Sequence, residues 1–276
     1  MIGAIIGDIT GSVREFTSTK LRSRDQVVLL PEDGFFTDDT VMTCAVAGAV
    51  MNYQALPPEE QTEDAFKTDL VRLMQSMGRQ YPGRGYGGRF AGWLLSGDPR
   101  PYNSLGNGSA MRVSAISLLS RSREECETLA RWSAEVTHNH PEGVKGAVCA
   151  ALVGYLARSQ KDKAALREAA AAFYPELKDP DFTVAQLYKT YYFTEWCQHT
   201  VPQALECFFE ADSFEDAVIN CIYIGGDCDT TGAIAGGAAE AYFGVPEALV
   251  RRTMEILRRD RAQGPILDLL AQCGSQ

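Results

Sequence analysis

"GAIIGDITG", residues 3 to 11, repeats glycine at i, i+4 and i+8 (Gly3, Gly7, Gly11) inside an otherwise apolar run. At helical spacing those three positions share one face. A face without side chains is a surface on which a second helix can lie backbone to backbone. The same small-residue signature returns in "AVAGA" (45–49) and in "GAIAGGAAEA" (232–241). Three such faces predict a tight central cluster of helices, with whatever precedes those helices brought together at their N-terminal ends.

Outward from that stretch, helical periodicity covers most of the chain and strand alternation is almost missing, so the fold class is read as all-α. The spacing predicts helices over 2–12, 38–53, 62–80, 109–120, 124–136, 141–158, 162–173, 202–211, 214–224, 229–243, 246–258 and 265–272. The separators "LPPEE" (56–60), "YPGRGYGG" (81–88), "SGDPRPYNSLGNG" (96–108), "YPELKDPDF" (174–182) and "FGVPE" (243–247) are rich in turn formers. None is long or polar enough to be a flexible linker, so 1–276 is expected to form one domain. The stretch 176–200, with "DFTVAQLYKTYYFTEW" in it, follows neither period and is read as loop with some helix.

With 45% hydrophobic and 22% charged residues, the chain can bury a substantial core. Its net charge of −10 argues against an extended nucleic-acid or anionic-membrane surface, which would need clustered Lys and Arg. A phosphate-bearing small ligand stays open, because backbone N–H groups, a helix N-terminus or a bound cation can hold one. No apolar run reaches the roughly 20 residues of a membrane span. "MIGAIIGDITG" carries no basic leader, so a cytoplasmic location is expected. The eight cysteines (Cys44, Cys126, Cys149, Cys197, Cys207, Cys221, Cys228, Cys273) form no C-x-x-C pair. They fall mostly in apolar helical patterns and read as reduced core thiols, not as disulfides or a zinc site.

Two stretches carry the chemistry. "GFFTDDTVMT" (34–43) sets Asp38 and Asp39 between threonines, and "GGDCDTTGAIAGGA" (225–238) sets Asp227 and Asp229 beside Thr230 and Thr231. Either alone reads as an ordinary helix start, since such groups accept the orphan N–H bonds and suit the positive end of the helix dipole. If the two starts converge, four carboxylates crowd one pocket; unpaired, they repel, and some must take up protons. A divalent cation relieves the conflict. Donors that are all carboxylate and hydroxyl oxygens suit Mg²⁺, Mn²⁺ or Ca²⁺ over zinc or copper. Six such donors exceed what one Mg²⁺ usually takes from protein, so two cations sharing bridging carboxylates are predicted.

Between the clusters, "NSLGNGSAMR" (103–112) has its own logic. Gly106 and Gly108 permit unusual backbone angles, Ser109 can cap the following helix, and the exposed N–H groups can cradle a diphosphate. The loop lacks the lysine-bearing pattern of a Walker loop.

Taken in order, "GAIIGDITGSVREF" (3–16), "FTDDTVMT" (36–43), "GNGSAMRVSAI" (106–116) and "GGDCDTTGAIAGGA" (225–238) resemble the ADP-ribosylglycohydrolase family, which includes the dinitrogenase-reductase-activating glycohydrolases. "VTHNHPEGVKGA" (136–147) and "TVPQALECFFEADSFEDAV" (200–218) match in order and spacing, so the likeness spans about residues 1 to 250. It implies a compact orthogonal multi-helix bundle with a dinuclear metal centre at converging helix N-termini. The implied activity is hydrolysis of the glycosidic bond between ADP-ribose and an acceptor, with Mg²⁺ as the expected cation and Mn²⁺ as the alternative. Carried over residue by residue, the metal ligands are Thr37, Asp38, Asp39, Asp227, Asp229 and Thr230. Glu15 becomes the group that positions or deprotonates water, with Asp38 and Asp229 in the catalytic set. Ser104, Asn107, Gly108 and Ser109 line the ADP-ribose cleft, and His138 stands near the phosphates or distal ribose. Without the resemblance Glu15 reads as a solvated charge and each histidine as structural or solvated. His140 is read as a turn or helix-start residue before Pro141, and His199 has no evident partner. Tyr191, Tyr192 and Trp196 are candidates for a lid over the adenine, with core packing as the competing reading. The implied partner is an ADP-ribosylated protein or a small ADP-ribose conjugate. Rival functions are hydrolysis of another nucleotide and binding of ADP-ribose without turnover.

Overall fold

The computed structural model describes residues 1–17, 19–259 and 264–273. Fourteen α-helices and five short 3-10 helices make up their regular structure, and no strand occurs among the described residues. The helices are α1 (Ile2–Gly11), α2 (Asp38–Ala55), α3 (Glu63–Gln80), α4 (Gly88–Leu95), α5 (Ser114–Leu119), α6 (Arg123–Glu135) and α7 (Pro141–Ala157), followed by α8 (Lys163–Ala171), α9 (Val184–Thr190), α10 (Val201–Glu210), α11 (Phe214–Ile224), α12 (Cys228–Phe243), α13 (Glu247–Arg259) and α14 (Gly264–Cys273). The all-α expectation holds.

The glycines of α1 do what their spacing predicts. A Cβ on Gly3 would collide with the backbone oxygen of Gly236, one on Gly7 with the backbone of Gly232, and one on Gly11 with the backbone at Cys228 and Asp229. α1 and α12 therefore run antiparallel with their backbones in contact, so the C-terminal end of α1, and not its N-terminal end as expected, lies against the start of α12. Every residue of α12 from Cys228 to Ala239 is buried. The third small face behaves differently from the expectation. A Cβ at Gly48 of α2 would meet only the side chains of Leu73 and Leu269, at 3.3 and 3.5 Å, so α2 packs there through side chains. One apolar cluster, from Ile5 of α1 to Ile266 of α14, joins the helices.

Local chemistry explains most helix starts. Thr62, Ser122, Thr183 and Ser213 each accept a hydrogen bond from a backbone N–H in the first turn of α3, α6, α9 and α11. His140 does the same for α7, accepting from Glu142 N ahead of Pro141, as its sequence position predicts.

Three boundaries differ from the sequence reading. α4 forms between two separators because "GRFAGWLL" buries Phe90, Trp93 and Leu94 on one face, a signal too short to stand out among flanking glycines. The helix expected over 109–120 is only Ser114–Leu119, because Asn107–Ser109 forms a 3-10 turn and Val113 has φ −92°, ψ 0°. Ser109 accordingly caps no helix. Within 176–200, α9 is followed by extended chain whose residues bond to the glycine loop: Asn107 N donates to Glu195 O at 2.7 Å and Cys197 N to Leu105 O at 3.0 Å. This pairing makes an isolated antiparallel bridge between Gly106 and Trp196.

All eight cysteines are free thiols, and seven of them are buried. No helix of the described residues is long and apolar enough to cross a membrane.

Candidate functional site

Asp8, buried in the middle of α1, organises the first acidic cluster. Its carboxylate accepts from Thr37 Oγ1 at 2.8 Å, from Thr37 N at 3.0 Å and from Thr40 N at 3.1 Å, and Thr40 Oγ1 closes on the same group. The start of α2 is thus clamped to α1. Thr37 is the N-cap of α2, its hydroxyl accepting from Asp39 N at 3.3 Å. Capping is therefore done by Thr37, which leaves the carboxylates of Asp38 and Asp39 free for another task.

At the start of α12 the N-cap position is Asp227, and its side chain makes no capping bond. It accepts instead from Asn107 Nδ2 at 2.6 Å, and Asn107 Nδ2 also reaches Thr200 Oγ1 at 3.1 Å. Asp229 accepts from Thr230 N at 3.0 Å. The two clusters meet where Thr230 Oγ1 approaches Asp39 Oδ2 at 3.5 Å. Asp39 Oδ1 is buried and has no hydrogen-bond partner, an expensive state for a carboxylate oxygen.

Glu15, on the turn after α1, completes the ring of acids. One oxygen atom each from Glu15, Asp227 and Asp229 lie within 4.8 Å of one another. The electrostatics record the crowding. Burial first, and then the neighbouring carboxylates, push Asp38, Asp39 and Asp229 well above the usual carboxylate range. The same causes, with Asp227 the leading neighbour, raise Glu15 to about 7. Asp8 rises to about 6 through burial, opposed by its bonds to Thr37 and Thr40. Burial raises Asp227 too, against bonds to Asp229 and Asn107. Buried oxygens with raised proton affinity, one of them unpartnered, in a set without nitrogen or sulfur, form a fitting site for hard divalent cations.

The acids line a cleft of about 240 Å³. Glu15, Asp38, Asp39, Asp227, Asp229 and Thr230 line it, together with Ser104, Asn107, Gly108 and His138. Two residues of the expected set do not. Thr37 is directed at Asp8, and Ser109, fully buried, donates to Gly143 O at 2.7 Å behind the loop. Asn107 faces the cleft but spends its amide on Asp227, which makes it an orienting group for the acidic cluster. Of the aromatic stretch, Phe193 lines the cleft and packs against Phe16, with ring centroids 5.7 Å apart. Tyr191 is buried against Gly226, and Tyr192 and Trp196 are largely exposed. Sequence reasoning gave no site role to Asp8, Arg89, Tyr102, Arg112, Phe193 or Glu195. The available signals were Asp8 inside the glycine-spaced motif and Arg112 as a lone charge in the apolar run "AMRVSAI".

Comparisons with known proteins agree on one family. The chain is 26% identical to the ADP-ribosyl-[dinitrogen reductase] glycohydrolase of Rhodospirillum rubrum, with 98% of this chain and 94% of that protein covered. It is also 26% identical to ADP-ribosylhydrolase ARH3 of Bos taurus and of Homo sapiens, in each case over 90% of this chain and 86% of the relative. A solved structure described as an ADP-ribosylglycohydrolase-related protein complex shares the fold, with a TM-score of 0.61 at 23% identity over 97% of this chain and 94% of that one. The ADP-ribosylglycohydrolase family model matches residues 1–275, and the chain belongs to that family.

Proposed function

We propose that this protein, acting as a single domain, is a metal-dependent hydrolase that cleaves the glycosidic bond between ADP-ribose and an acceptor, its substrate being an ADP-ribosylated protein side chain. The observation that carries the reading is the convergence of two helix starts, α2 and α12, which sets Asp38 and Asp39 beside Asp227, Asp229 and Glu15 on the lining of one cleft. Family membership supplies the substrate class, and the curated relatives named above act on ADP-ribose modifications by their names.

Two divalent cations, Mg²⁺ before Mn²⁺, would be held by Asp38, Asp39, Asp227, Asp229 and Thr230, with Thr37 bracing the first cluster from behind. Bound there, they supply Lewis acidity toward the ribose hydroxyls and the charge that lets the carboxylates stay ionised. The chain's own groups do the rest. Asn107 and Thr230 orient Asp227 and Asp39. Glu15, on the cleft lining beside Asp227 and Asp229, is placed to take a proton from water. Water oxygen forms a bond to the anomeric carbon of the distal ribose, the bond from that carbon to the acceptor atom breaks, and the leaving acceptor atom takes up a proton. The glycine loop and the His138 side of the cleft bind the diphosphate away from the reacting carbon.

The test is free ADP-ribose release from a panel of arginine-linked, serine-linked and nucleotide-linked conjugates by the wild type, Asp38→Asn and Asp229→Asn. Release from a protein-linked conjugate that drops at least about 100-fold in both variants supports the reading. Unchanged release in the variants, or tight ADP-ribose binding with no product from any conjugate, overturns it.

A further inference from the structure

A buried cation, Arg112, backs the part of the cleft lining that carries His138. Arg112 is 1% exposed, and its Nη2 donates to Ser133 O at 2.6 Å and to Thr137 Oγ1 at 3.1 Å. Thr137, itself fully buried, has its Oγ1 2.6 Å from His138 Nδ1. A guanidinium can only donate, so Thr137 Oγ1 accepts from Arg112. The hydroxyl has a single proton, and His138 Nδ1 is the one acceptor among its hydrogen-bond partners. Directing that proton to Nδ1 satisfies both groups. The reverse arrangement leaves a buried hydroxyl proton with no acceptor. Nδ1 is therefore the acceptor, and the proton of the neutral ring sits on Nε2.

Nε2 faces the glycine loop. A Cβ added at Gly106 or Gly108 would lie 3.4 or 3.2 Å from it, so the two glycines leave the nitrogen uncovered. His138 is 6% exposed, lines the cleft, and makes no hydrogen bond through Nε2 to the described residues. Two arginines stand near the ring. Arg112 is on the same part of the lining, and Arg89 stands over the Tyr102 ring at 4.8 Å, with its Nη2 donating to Tyr102 O at 2.6 Å. Burial, then Arg112 and Arg89, hold the His138 imidazole well below its ordinary range, in keeping with a ring that stays neutral.

Resting on the nucleotide reading above, we propose that Arg112 and Thr137 are positioning residues that lock His138 in the Nε2–H tautomer, aiming a fixed donor at an anionic phosphate oxygen of the substrate. One cleft lining then carries both carboxylates suited to cations and a neutral donor backed by Arg112. A neutral donor recognises the diphosphate without forming an ion pair that would slow product release.

The chain has only three histidines, so long-range ¹H–¹⁵N correlation of the imidazole rings resolves each, with His138→Asn assigning the signal of interest. The expected wild-type pattern is that of an Nε2-protonated ring, perturbed at Nε2 by ADP-ribose and by inorganic pyrophosphate but not by adenosine. Thr137→Val should mix or invert the tautomer and raise KM about tenfold with little change in kcat, while Thr137→Ser restores both. Thr137→Ala serves in the same role should the valine variant not fold. An Nδ1-protonated wild-type ring, a Thr137→Val pattern and KM equal to wild type, or an Nε2 signal indifferent to pyrophosphate would each overturn the proposal. A locked Nε2–H ring that responds to ADP-ribose in a protein that hydrolyses no conjugate sustains this inference and sinks the hydrolase reading. Hydrolysis with the wrong tautomer does the reverse.

Discussion

Asp39 is where the two acidic clusters touch: one oxygen lies near Thr37 and Thr230, and the other is buried without a partner. Its ionised form is costly until a cation arrives, so Asp39→Asn should raise the melting temperature of the metal-free protein while abolishing any further rise on adding Mg²⁺. A metal-free variant less stable than wild type would contradict this account of the carboxylate. Asn107 acts one step back from the cluster through its 2.6 Å bond to Asp227. Asn107→Ala should weaken metal affinity by about 10–100-fold, read from a Mg²⁺ titration of activity. His138 gives a pH test with a definite sign. Its native pKa lies well below the ordinary 6.5, so the unfolded chain takes up a proton at that position before the native one does. Stability supported by His138 is present above about pH 6.5 and is lost as pH falls from there toward the native value. His138→Asn should therefore lose less stability than wild type between pH 7 and 5 in denaturant melts.

The same contrast between buried and open positions governs the elements. Gly7 of α1 rests on the backbone of Gly232, and no side chain can swing away to make room for a methyl group. Gly7→Ala should cost about 3 kcal/mol or more, toward and past the upper end for overpacked sites, or fail to fold. Gly92, on the exposed face of α4 with nothing near its missing Cβ, is the control. Gly92→Ala should stabilise by about 0.5–1 kcal/mol. This antiparallel contact was legible in the i, i+4, i+8 glycines because helix packing leaves a periodic mark along one segment. Most helices could be placed for the same reason. The role of Asp8 was hidden because its partners, Thr37 and Thr40, are 29 and 32 residues away, and nothing local distinguishes a buried carboxylate from a misfit in an apolar run. Glu195 and Phe193 reach the cleft only through the pairing of an aperiodic segment with the glycine loop, again a contact between distant residues. Ser109 shows the opposite error, a residue chosen for local capping chemistry that the tertiary fold uses behind the loop.

At the scale of the molecule, the site is held by helices that the fold cannot easily move, α1 against α12 by backbone contact and α2 against α1 through Asp8. Cations bound at their meeting point should then stabilise the whole chain. With Mg²⁺ at about 100 times its dissociation constant, the gain is about 2.7 kcal/mol, visible as a melting-temperature rise that EDTA removes. A net charge of −10 adds to the benefit of neutralising carboxylates. Most directly, the reading is tested by following free ADP-ribose released from an ADP-ribosylated protein by metal-stripped enzyme, before and after Mg²⁺ is restored. The account predicts negligible release in EDTA and full recovery on adding Mg²⁺, whereas release at an undiminished rate in EDTA would contradict it.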